Sequence, residues 1–318
     1  MAKFRSIDKA LFDAVKNGAP LKKVKYIVAL GADVKMNDQL YYNCLSYCKD
    51  QEVAKYLIEK GVDVNLVGYN GHTPLDFAQD LNVVNLLIKN GADVNAADCY
   101  GASILMHAID QGNFGKAMML IKKDADINAI TRYGRSVLHY AVNRDAYDIA
   151  KYLLDNGCDV NVVDKRRRSL WWDVKSEEMA KLLLSYNIKL NGKDIFGTPD
   201  LLSIVYNRRM GVIREFIDAG GDINVTNQQL ENALFITTQR DFNERQRGDV
   251  NYDENKNKNV VRLLIDGGID IKQKNLRGED ALGVATVEMK RFILDYIERQ
   301  RNNPKLFEFV KSRAMCKD

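Results

Sequence analysis

The sequence predicts an all-α repeat solenoid, a stack of helix pairs, and three observations carry that reading. One phrase recurs along the 318-residue chain: Gly31-Ala-Asp-Val-Lys35, Gly61-Val-Asp-Val-Asn65, Gly91-Ala-Asp-Val-Asn95, Asp124-Ala-Asp-Ile-Asn128, Gly157-Cys-Asp-Val-Asn161, Asn187-Ile-Lys-Leu-Asn191, Gly220-Gly-Asp-Ile-Asn224 and Gly268-Ile-Asp-Ile-Lys272. Successive copies begin 30, 30, 33, 33, 30, 33 and 48 residues apart, which is a 33-residue period with 3-residue deletions and one long gain. A second phrase sits between these copies, as His72-Thr-Pro-Leu-Asp-Phe-Ala78, Ala102-Ser-Ile-Leu-Met-His-Ala108 and Arg135-Ser-Val-Leu-His-Tyr-Ala141, with weaker versions around Leu45, Trp171, Leu201, Leu234 and Leu282. Finally, each unit closes on an apolar cluster such as Leu57-Ile58, Leu86-Leu87-Ile88, Leu153-Leu154, Leu183-Leu184 or Leu263-Leu264-Ile265. Stripes of that kind bury only against a neighbouring repeat.

Taken in order along the chain, Ser6 to Leu30 reads as an N-terminal helix pair. Thr73-Pro74 and Thr198-Pro199 place a hydroxyl cap before a proline, a favoured helix start. Second helices end at Gly, or at Asp124 and Asn187, residue types that tolerate a left-handed turn. The 30-residue units holding Leu45, Leu75 and Trp171 lose their three residues between the paired helices, so their first helix should be about a turn shorter. A turn glycine present as Gly71, Gly101, Gly134, Gly197 and Gly278 is replaced by Tyr41, Arg167 and Leu230. Positive φ costs a bulky residue about 1–2 kcal/mol, so those three hairpins are expected to adopt another turn. The 48-residue unit gains its extra residues at 241–258, polar enough to read as a surface loop or a frayed helix extension. A last amphipathic helix is expected around Lys305-Leu-Phe-Glu-Phe-Val310, covering the open end.

These residues resemble the ankyrin-repeat family, whose unit is a β-turn followed by an antiparallel helix pair with a Thr-Pro-Leu-His-x-Ala box opening the first helix. The resemblance runs over roughly residues 6 to 300. It implies about nine units: an N-terminal capping repeat over 1–37, an array over 38–278 with the insertion at about 241–258, and a C-terminal capping repeat with its terminal helix over 279–318. Length alone would suggest two domains, and a continuous array overrules that.

Composition narrows function. With 47 Lys and Arg against 43 Asp and Glu, a net charge of +4 describes no globally basic nucleic-acid binder. Five Cys without a Cys-x-x-Cys pair, and only three His, predict neither a disulfide framework nor a zinc site. A reducing compartment follows. Charges through Met1 to Val15 leave no signal-peptide apolar region, and no stretch reaches membrane-spanning length, so a cytoplasmic protein without membrane insertion is expected, or one of the host cytosol if a microbe exports it.

No enzyme or cofactor is predicted, since phosphate-binding glycine motifs are absent and the repeated Asp63, Asp93, Asp126, Asp159, Asp222 and Asp270 build scaffold. His139 falls at the structural His of the box. His107 lies one residue beyond it, facing outward near Cys99, too little for a nucleophilic pair without an orienting group. Cys44 and Cys48 read as core thiols.

The resemblance implies that hairpin tips and first-helix positions line a concave face where protein partners dock. On this chain those positions are Tyr69, His72, Tyr100, Arg132, Tyr133, Arg135, Lys165, Arg166, Arg168 and Phe196 at the tips, and His107, Tyr140, Arg144 and Trp172 on the helices. Tyr, Trp and Arg are the usual anchors of interfaces. The expected partner is a protein with an acidic or phosphorylated segment, bound by an adaptor, inhibitor, immunity protein or host-directed effector. Nucleic-acid binding through 132–168 is the alternative, and an enzyme in the irregular C-terminal third ranks last.

Overall fold

A computed structural model describes residues 5–247 and 253–302, so the expected helix at 305–310 lies outside the described residues. Contacts gather the chain into two compact units, Met1–Cys158 and Asp159–Asp318. Helix pairs build both.

In the first unit the pairs are α1 (Ser6–Lys16) with α2 (Leu21–Ala29), a 3-10 turn at Cys44–Tyr47 with α3 (Gln51–Glu59), α4 (Pro74–Phe77) with α5 (Leu81–Lys89), α6 (Ile104–Asp110) with α7 (Phe114–Ile121), and α8 (Val137–Asn143) with α9 (Tyr147–Asp155). The second unit has a 3-10 turn at Leu170–Trp172 with α10 (Glu177–Ser185), α11 (Asp200–Tyr206) with α12 (Met210–Asp218), α13 (Ala233–Arg247) with α14 (Glu254–Asp266), and α15 (Ala281–Val284) with α16 (Val287–Arg301). Within each unit first helices pack on first helices and second on second, as in α4 on α6, α5 on α7, α11 on α13 and α12 on α14. That is how the leucine stripes are buried: Leu57, Leu75, Leu87, Leu105, Leu153, Leu183 and Leu264 are all inaccessible to solvent. Where three residues are missing, the first helix shrinks from the seven residues of α6 and α8 to the four of α4 or to a 3-10 turn.

The recurring phrase explains itself in hydrogen bonds. Its Asp accepts from the backbone two residues on, as in Asp93 Oδ1 with the Asn95 N–H at 2.8 Å. The Asn Oδ1 then accepts from the backbone of the next repeat: Asn65 from Asp93, Asn95 from Asp126, Asn161 from Lys189, Asn191 from Asp222 and Asn224 from Asp270, all at 2.7–2.8 Å. Hairpin tips join similarly through main-chain bonds, the N–H groups of Tyr69, Cys99, Arg132, Ile195 and Leu276 donating to the carbonyls of Leu40, Asn70, Tyr100, Arg166 and Gln229. Asp124 and Asn187 take positive φ, 62° and 59°, at the helix ends assigned to them.

Two expectations are corrected and a third is narrowed. Tyr41, Arg167 and Leu230 keep the glycine turn, with φ of 62°, 59° and 61°. Their N–H groups donate to Asp38, Asp164 and Asn227, as Gly101 donates to Asp98. Hydrogen bonds across the turn and to the adjoining tip hold the strained backbone in place. Thr198 is not a cap: Pro199 takes the N-cap position of α11, whereas Thr73 does cap α4 and shares a capping box with Asp76. Of the two readings of the inserted stretch, its described residues fit the helix extension and not the loop, since Asp241–Arg247 continues α13 and Glu254–Lys258 opens α14. Its polar side chains bond to one another: buried Asp241 accepts from Asn257 at 3.0 Å and Thr286 at 3.1 Å, while Arg208 and Arg240 hold Glu244.

Candidate functional site

In the first unit the tips present aromatic rings to solvent. Tyr100 and Tyr133, on adjoining tips, stack at 6.2 Å with 25° between ring planes while keeping 51% and 60% of their surface exposed. Tyr69 is exposed as well, its carbonyl accepting from the buried Tyr42 hydroxyl at 2.6 Å. Arg132 is exposed beside Tyr133. Arg135 is half-buried with its guanidinium 5.6 Å from the centre of the Tyr140 ring, and Arg144 pairs with Asp110 at 3.1 Å. The tip aromatics Tyr69, Tyr100 and Tyr133 are thus at the surface and Tyr140 is half-buried, whereas two of the three cations lean on neighbours.

The histidines behave differently from the sequence expectation. His107 does not project free from its helix: Nδ1 lies 2.8 Å from Asp76 Oδ1 and Nε2 lies 3.2 Å from Asp98 Oδ2. Burial favours the neutral ring, yet hydrogen bonds and charge from Asp76, then Asp98, outweigh it and raise its pKa. The same pair leaves Asp76 below the ordinary carboxylate range, since His107 and the Thr73 N–H more than offset the burial that pushes it up. His72 is half-buried, 5.1 Å from the His107 ring and edge-on to Phe77. His139 is structural: its Nδ1 accepts from the Ser136 N–H at 3.1 Å, closing a capping box. Cys99 does not contribute to the His107 pairing, and burial pushes the Cys44 and Cys48 thiols up to about 12 and about 11.

In the second unit Lys165, Arg166 and Phe196 are exposed at their tips, with Ile195 beside Phe196. Arg168 is committed elsewhere. Its Nε and Nη2 donate to the buried Asp164 at 2.8 and 2.5 Å, and its guanidinium lies 5.8 Å from the Trp172 ring centre. Asp164 consequently stays low, burial raising its pKa less than Arg168 and the backbone N–H groups of Arg168 and Arg166 lower it. Trp172 is half-buried and donates Nε1–H to Asp200 Oδ1 at 3.1 Å; Trp171 is fully buried at the box leucine position.

Sequence reasoning missed Asp76, Asp98, Asp200 and Lys116 as organisers of these side chains. Lys116 reads as a surface residue of α7. It is fully buried, with Nζ donating to the Leu75 and Asp76 carbonyls at 2.7 and 2.8 Å, and burial pushes its pKa down to about 8. The signal was available in columns: Asp76 stands where the box usually places His, one repeat before His107.

Stacked helix pairs with bonded hairpin tips define an all-α repeat solenoid. A family model described as ankyrin repeats, in three copies, matches residues 11–98 and 78–164. Residues 11–164 are thus ankyrin repeats, which generally mediate protein–protein interaction. No curated protein matches the chain. Among the described residues, no helix is long and apolar enough to cross a membrane.

Proposed function

We propose that this chain is a non-enzymatic interaction scaffold whose tips and first-helix positions grip a protein segment that is acidic or phosphorylated. The observation that supports it best is the exposed Tyr100–Tyr133 stack flanked by the solvent-facing Arg132. Large rigid rings bury area with little loss of entropy, and a nearby guanidinium pairs with carboxylate or phosphate in a fork. Lys165, Arg166 and Phe196 offer the same chemistry in the second unit. A scaffold stabilised by nearest-neighbour packing presents these groups already ordered, which lowers the cost of binding. An adaptor or inhibitor would use such a face.

The charge reversal that tests this is confined to Arg132 and Arg166, because a carboxylate at position 168 would face the buried Asp164. Acidic and phosphorylated peptide libraries are screened against the full chain, and the best ligand is titrated against Arg132→Glu/Arg166→Glu and Tyr133→Ala. Both variants should retain helicity, the first binding more slowly and the second more weakly, by about 2 kcal/mol if Tyr133 is an anchor. Equal binding by both would refute the assignment. A nucleic-acid ligand would instead show affinity collapsing with salt in proportion to the phosphates contacted.

A further inference from the structure

We propose that His72, Asp76 and His107 form a binding site for a single borderline divalent cation of the zinc class, with Asp98 orienting His107. One ligand atom from each of these three residues lies within 4.8 Å of the other two. Asp76 Oδ1 is 2.8 Å from His107 Nδ1 and 3.6 Å from His72 Nδ1. Tetrahedral zinc with bonds of about 2.0–2.1 Å sets neighbouring ligand atoms about 3.3 Å apart, so these two separations straddle the required one. Two imidazole nitrogens therefore aim at one carboxylate oxygen. His107 bonds to that oxygen, whereas His72 Nδ1 is buried without a hydrogen-bond partner. A cation between the three atoms gives that nitrogen a use which a proton shared by His107 and Asp76 does not.

The surroundings fix each ligand in place. Asp76 Oδ2, the oxygen turned away from the histidines, accepts from the Thr73 N–H at 2.7 Å and the Thr73 hydroxyl at 3.2 Å, setting the plane of the carboxylate. His107 Nε2 lies 3.2 Å from Asp98 Oδ2, and the other Asp98 oxygen accepts from the Tyr100 and Ala102 N–H groups, each at 2.8 Å. A histidine whose distal N–H is held by a carboxylate presents its other nitrogen deprotonated, as a metal ligand must be. Asp76 and Asp98 supply two negative charges; the Lys116 ammonium, bonded to the Leu75 and Asp76 carbonyls, opposes part of that field. Two nitrogens and one oxygen favour Zn2+ over Mg2+ or Ca2+, which take oxygen ligands. The ion would clip the tip of one repeat, through His72, to the first helix of the next, through His107.

The full chain, stripped with EDTA and dialysed, is titrated with ZnCl2 by calorimetry and with CoCl2 by absorption. We expect one ion per chain, a Co2+ spectrum with tetrahedral d–d bands and no thiolate charge-transfer band, and a zinc-dependent rise in Tm. His72→Phe keeps an aromatic ring against Phe77 and removes one ligand. Asp98→Asn keeps the Oδ1 acceptor and changes only the partner of Nε2. Asp98→Asn should weaken binding roughly 10–100-fold, and His72→Phe by more than that. If His72→Phe fails to fold by circular dichroism, His72→Gln replaces it. Absence of saturable Zn2+ uptake by the wild type, thiolate bands in the Co2+ spectrum, or unchanged affinity on loss of His72 would each overturn the site.

Discussion

Replacing Leu230 by glycine should stabilise the protein, although it deletes a hydrophobic side chain. Leu230 occupies the left-handed turn position with φ of 61°, and its N–H keeps the same bond, to Asn227, that glycine makes in the other tips. Holding an L-residue there costs about 1–2 kcal/mol. Glycine relieves that strain but brings about 0.5–1 kcal/mol of extra unfolded-chain entropy. The two terms together favour glycine by about 0–1.5 kcal/mol, less the burial given up with a leucine that is 42% exposed. The reciprocal change tests the same physics nearby. Gly278 has φ of 77° and nothing within 4 Å of where a Cβ would sit, so Gly278→Ala introduces the strain without a clash and should lose a similar amount. Urea unfolding followed by far-UV circular dichroism measures both, and the chain's two tryptophans, Trp171 and Trp172, report on the second unit by fluorescence. The two probes must agree before one free energy is assigned, because repeat arrays can unfold in parts. A Leu230→Gly protein no more stable than wild type, alongside a harmless Gly278→Ala, would show that these turns are not strained.

Other outcomes follow from the same structure. Trp171→Leu restores the residue usual at the box, yet should destabilise by about 2–4 kcal/mol, more than Trp171→Phe, because the short repeat fills its core with an indole packed edge-on to Phe216 and bonded to the Lys189 carbonyl; equal stability of the Leu variant in urea would contradict this. Asn95→Ala should lose about 0.5–1.5 kcal/mol by leaving the Asp126 N–H without its acceptor, and hydrogen exchange at Asp126 should quicken. Because Asp164 titrates below its ordinary value near 3.8, its contribution to stability is complete above that pH and disappears as pH falls through the lower folded value. Arg168→Gln should shrink that contribution and raise the Asp164 carboxyl titration seen by NMR; an unmoved titration would mean that the ion pair is not formed.

The period made most of the fold legible. Deletions between the helices foretold a first helix about a turn shorter, as in α4, though not its replacement by 3-10 turns, and Asp124 and Asn187 turned where their residue types allow. Composition misled in two places. The polar run at 241–258 read as loop as readily as helix extension because burial was expected to require apolar residues, whereas the Asp241 carboxylate is buried while accepting from Asn257 and Thr286. Bulky residues at 41, 167 and 230 looked incompatible with a glycine turn because local preference was weighed without the bonds on either side of it. At the candidate site, exposed tip aromatics were legible position by position. The His107 environment was not, because Asp76 and His107 meet only when adjacent repeats are laid side by side.

The tip ladder has an evolutionary consequence. Because each of these joints between neighbouring tips includes a bond from a main-chain N–H to a main-chain carbonyl, any residue but proline at a donating position can preserve that bond. Side chains there can drift or be selected while that bond persists, so the lineage can rewrite the exposed surface one tip at a time while inheriting an unchanged frame.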